Sequence, residues 1–117
     1  MAYMDIKTLI KESNETATEK GWWDKDTSRN IPGLLALIHS EVSEALEAYR
    51  DTGTEHLNNI WYEASTGKPE GFITELADVF IRIADLCGEF DLDLEQALTE
   101  KMAHNKTRPY RHGNKVI

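Results

Sequence analysis

Two stretches of this chain place apolar residues at intervals of three and four, and that spacing does most to narrow the folds open to it. Leu35, Ile38, Val42, Ala45 and Tyr49 form one stripe, and Phe72, Leu76, Val79, Phe80, Ile83 and Leu86 form the other. A helix of 3.6 residues per turn carries such a series on one side, whereas a strand has period two. Both stretches therefore read as long helices, each needing a partner for its apolar face.

Punctuation extends the pattern to four helices, over residues 5–20, 31–50, 69–90 and 93–106. Gly21 is a natural stop for the first, and Pro32 suits the opening turn of the second. Asp93, followed by Gln96, is placed to cap the fourth, and Pro109 blocks its continuation. Between the second and third helices, Leu57, Ile60 and Trp61 suggest one or two further helical turns before Ser65-Thr66-Gly67. The tail from Tyr110 to Ile117 has no helical pattern, and no strand pair is apparent. The expectation is an all-α, four-helix-bundle-like fold in one domain over residues 1–117.

Charge and composition exclude several roles. The net charge of −8 argues against binding a nucleic-acid polymer, which needs a positive surface. No apolar run is long enough to cross a bilayer, and the N-terminus lacks the apolar core of a secretory signal. A single cysteine, Cys87, cannot form an internal disulfide and reads as a small buried hydrophobe, so a cytoplasmic setting is expected. His39, His104 and His112 are too scattered to form a zinc set. No glycine-rich phosphate loop is present.

The carboxylates are the candidate chemistry. Glu41 and Glu44 are three apart on the second expected helix, as are Glu75 and Asp78 on the third. Each pair shares a helix face, so two packed helices can aim four carboxylates at one point, where magnesium prefers hard oxygen ligands. The competing reading is a solvated polar stripe: Glu75, Asp78, Arg82, Asp85 and Glu89 follow helical spacing too. Solvated faces usually interleave opposite charges. Here the second helix has no Lys or Arg before Arg50, and the third has only Arg82, within reach of Asp78 or Asp85. That imbalance favours a missing cation.

From Lys101 to Ile117 there is no acidic residue. Lys101, Asn105 and Arg108 share a face at the end of the fourth helix, and Arg111, His112 and Lys115 follow. Such a set suits phosphate oxygens, although cations also favour a helix C-terminus for dipole reasons alone. Trp22 and Trp23 precede the second helix. Adjacent tryptophans rarely both turn inward, so one is available to stack on a base.

Taken in order, these residues resemble the MazG-like all-α nucleoside triphosphate pyrophosphatases. Glu41-Val-Ser-Glu44 and Glu75-Leu-Ala-Asp78 look like the family's E-x-x-E … E-x-x-D signature. Gly21-Trp22-Trp23, Lys68-Pro69-Glu70-Gly71 and the run from Lys101 through Asn105 and Arg108 to Gly113 extend the likeness over roughly residues 20–115. The resemblance implies hydrolysis of a (deoxy)nucleoside triphosphate to the monophosphate and pyrophosphate. Glu41, Glu44, Glu75 and Asp78 would hold magnesium, with manganese as a substitute. Glu41 or Glu44 would serve as the base that orients water. Lys101, Asn105, Arg108 and Arg111 would contact phosphates, and Trp22 or Trp23 would line the base pocket. It also implies a homodimer or homotetramer. Ser40 stands where many members carry an acid, and residues 51–68 form an insert between the motifs. A related branch acts on phosphoribosyl-ATP, and a non-catalytic helical interaction module is the alternative outside this family.

Overall fold

The computed structural model describes residues 4–117; residues 1–3, the start of the N-terminal stretch read above for a secretory signal, lie outside them. The fold is mostly helical: α1 Ile6–Glu19, α2 Ile31–Thr52, α3 Phe72–Glu89 and α4 Leu94–Thr107. Local chemistry sets the ends. Asp5 accepts from the Thr8 amide at 2.8 Å, Asn30 from the Gly33 amide at 2.8 Å, and Asp93 from the Gln96 amide at 3.0 Å. Gly21 and Gly53 follow α1 and α2 with φ of 86° and 72°, a conformation that glycine adopts without penalty.

Residues 53–71 depart from the expected helical turns. A 3-10 turn, Thr54–His56, is followed by a minimal antiparallel ribbon of β1 Trp61–Tyr62 and β2 Pro69–Glu70. Trp61 pairs with Glu70 and Tyr62 with Pro69. The expectation of no strand pair is thus corrected. Two-residue strands are too short to show period-two alternation, and Gly67, at φ 73°, turns the chain. The third helix accordingly starts at Phe72 and not at Pro69. Gly71 makes the junction: its φ is 136°, and a Cβ there would collide with the Asn59 carbonyl oxygen. The tail closes in one left-handed turn, Arg111–Asn114, with φ between 50° and 94°.

α3 is the hub, packed on one side by α2 and on another by α1. α1 and α3 approach closely at Gly88, where a Cβ would lie 2.7 Å from the Cβ of Asn14. The inward seam of α2 runs through Leu34, Ile38, Glu41, Ala45 and Ala48. Leu35, Val42 and Tyr49 of the expected stripe instead lie 42–51% exposed, with Leu46 beside them. The buried apolar residues among the described residues are Leu34, Ala45, Ala84 and Cys87. α4 touches its own chain slightly, against α1, and buries no side chain.

The chain is open for its length. Its radius of gyration is 17.0 Å, where a compact domain of this size measures about 13 Å. Its accessible surface is 9369 Å², against about 6,500 Å² for a compact monomer of this mass. No helix is long and apolar enough to cross a membrane, among the described residues.

Candidate metal centre

The polar stripe of α3 points into the groove between α1 and α2. Glu75, Asp78, Arg82 and Asp85 are all at least partly withdrawn from solvent. Glu41 sits in the inward seam of α2, with its side chain 14% exposed. One carboxylate oxygen each from Glu41, Glu75 and Asp78 lies within 4.8 Å of the others. The two helices thus converge three hard oxygen donors, with no nitrogen or sulfur, which fits magnesium or manganese chemistry. Glu44 is not in this triplet. It is exposed on α2, yet its charge is still felt by Glu75.

The acids act on one another electrostatically. Burial, then the neighbouring Asp78, Glu41 and Glu44 charges, hold the Glu75 carboxyl above its ordinary value. Asp78 is raised likewise, by burial first and then by Glu41. Lys68, on the insert just before β2, opposes both shifts, and Arg82 opposes that of Asp78. A carboxylate that is partly desolvated beside other anions favours any positive partner, a proton included. Lys68 was part of the motif resemblance, but its nearness to the acids depends on the fold of the insert and has no local signal.

Arg82 donates its Nε to Glu41 Oε1 at 2.9 Å, reaching across to α2. The sequence had suggested Asp78 or Asp85, its neighbours on α3. Asp85 has other partners. It is 6% exposed and accepts from Trp23 Nε1 at 2.8 Å and from Asn14 Nδ2 at 3.0 Å, with Arg29 Nη2 at 3.6 Å. Arg29 also lies over the Trp23 ring, 4.3 Å from its centroid. This network ties the loop after α1 to α3.

A cavity of about 880 Å³ adjoins the acids, with Glu41, Asp78, Arg82 and Asp85 on one wall. Leu9, Ala17, Leu37 and Ile81 supply apolar lining, and Trp22 and Arg29 also line it. The size falls within the range of small-molecule sites. Of the two tryptophans expected at a base, Trp22 lines this cavity and is 60% exposed. Trp23 does not line it, since its ring packs edge-on against Phe90, 6.0 Å between centroids.

Lys101, Asn105 and Arg108 stand exposed along α4 and at its end, and Arg111 stands in the tail turn over Tyr110. None of the four lines the cavity. Within one chain, the basic set and the acidic set are not brought together. Comparison with protein-family models, with curated proteins and with solved structures yields no match to this chain.

Proposed function

We propose that the chain is a magnesium-dependent hydrolase that cleaves a (deoxy)nucleoside triphosphate to the monophosphate and pyrophosphate, with manganese able to replace magnesium. The observation that carries this reading is the convergence of Glu41, Glu75 and Asp78 from two helices, with Glu41 and Asp78 also lining a cavity large enough for a nucleotide. A solvated acidic face would not withdraw these side chains from water or set them beside a cavity.

Glu41, Glu75 and Asp78 would hold the divalent ion. Bound there, it would supply positive charge to phosphate oxygens and acidify a water molecule. Glu44, one helical turn from Glu41 and outside the triplet, is free to orient the attacking water and accept its proton. Lys68 approaches the acids from the insert and adds positive charge for the leaving pyrophosphate. The apolar cavity walls and Trp22 suit a nucleobase.

The reading extends to assembly. The open shape and the exposed Leu35, Val42, Leu46, Tyr49 and Phe80 support a homodimer or homotetramer. The same assembly offers a route for Lys101, Asn105, Arg108 and Arg111 to reach the phosphates of a neighbouring subunit's site. A cytoplasmic setting agrees with a lone, buried cysteine.

The test is incubation with each canonical dNTP and NTP plus magnesium, with pyrophosphate release as the readout. Release from at least one substrate, abolished by EDTA, is expected. Silence across the whole panel at high protein concentration sinks the proposal.

A further inference from the structure

The acidic centre contains a cation of its own. Arg82 binds Glu41 through Nε at 2.9 Å, with the two side chains 35% and 14% exposed. The pair joins α3 to α2, so it is no neighbour contact along one helix. Partial burial shields it from the screening that weakens surface pairs. Arg82 also stands one turn beyond Asp78 on α3, so its charge bears on two of the three clustered carboxylates. Its remaining nitrogens make no other hydrogen bond among the described residues, and it lines the cavity.

A guanidinium so placed has two possible effects on a divalent ion. It can hold Glu41 in a useful orientation, or it can compete for the same carboxylate. The charges decide. A divalent ion at the triplet would add two positive charges beside an arginine already bonded to one of its ligands. One screened unit charge at such distances changes an affinity by about tenfold or more. Orientation has less to offer, because Glu41 already lies in the α2 seam with its side chain 14% exposed.

We propose that Arg82 is the resident counter-ion of the metal centre: in the metal-free chain it occupies Glu41, and it sets the affinity for the divalent ion by competing for that carboxylate. This rests on the reading of Glu41, Glu75 and Asp78 as the ion's ligands. The counter-ion keeps the acids tolerable in the absence of metal and stops the site from binding too tightly.

The experiment uses full-length, EDTA-stripped protein. Manganese and magnesium are titrated calorimetrically into wild type, Arg82→Gln and Arg82→Lys, and each protein is melted with and without metal. Arg82→Gln is expected to bind manganese about tenfold more tightly than wild type, and to melt lower without metal. Arg82→Lys, which keeps the charge but not the fork, is expected to stay within about threefold of wild type. Equal or weaker binding by Arg82→Gln overturns the proposal and makes Arg82 a holder of Glu41. If Arg82→Gln does not fold, Arg82→Lys decides: near-wild-type affinity agrees, and a tenfold loss overturns. Wild-type protein that binds neither metal sinks the ion-site reading, and this proposal with it. Wild-type binding with an indifferent Arg82→Gln sinks this proposal alone.

Discussion

Asp85 has the helical spacing of a wet face, yet it is 6% exposed and gathers Trp23, Asn14 and Arg29 around it. Replacing it with alanine would strand the Trp23 indole N–H and remove the carboxylate partner of the part-buried Arg29. We expect a loss of about 3–5 kcal/mol, seen as a lowered denaturant midpoint. A midpoint within error of wild type would remove Asp85 from its organising role. The carboxylates of the proposed ion site are expected to behave differently. Asp78→Asn removes a repelling charge, so it is expected to fold normally while hydrolysis falls about 100-fold or more. Retained activity would move the metal site elsewhere. Glu75 and Asp78 also predict a pH response. Their folded-state values are raised above 4.5 and 3.8. The folded metal-free chain therefore binds their protons more tightly than the unfolded chain does. The stabilisation is fully present below the ordinary values and is lost as pH rises through the raised ones. Asp5, lowered by the Thr8 amide, works in the opposite sense. Melting metal-free protein from acid to neutral pH, with Asp78→Asn alongside, checks this: the variant should show the smaller fall.

At the scale of the elements, most helix ends were legible because they rest on local chemistry. Asp93 caps α4 and Gly21 ends α1 for reasons contained within four residues of sequence. The insert was not legible. Its ribbon depends on Gly71, whose backbone passes against the Asn59 carbonyl and under the Trp61 ring. Gly71→Ala meets both a positive φ and that collision. A cost of about 1–3 kcal/mol or more is expected, together with loss of activity, because the junction places Lys68 and the start of α3 beside the acids. A Gly71→Ala variant with an unchanged melting temperature would contradict this. The inward face of α2 also differs in part from the expected stripe. Leu34-Ile38-Glu41-Ala45 and Leu35-Val42-Tyr49 are both helical stripes, and periodicity alone does not say which meets α3.

For the whole molecule, an excess of roughly 2,900 Å² over a compact monomer is the scale of an obligate interface. The chain is therefore expected to sediment as a dimer or tetramer, with a melting temperature that rises with protein concentration. Val42→Glu and Leu46→Glu place charge on the exposed face of α2 and should shift the equilibrium to smaller species. A wild-type chain that is monomeric at micromolar concentration, with native helicity and no concentration dependence, would refute the assembly.

The sequence alone determined that the chain is helical, where most helices begin and end, and that two acidic pairs lie at helical spacing. Each of these follows from contacts between residues a few positions apart. Only the tertiary structure decided that Glu41 rather than Glu44 joins Glu75 and Asp78, that Arg82 reaches across to α2, and that Trp22 rather than Trp23 lines the cavity. Those outcomes depend on which faces of α1, α2 and α3 meet. That choice is set by packing among residues distant along the chain, such as Asn14 against Gly88, and no local pattern encodes it.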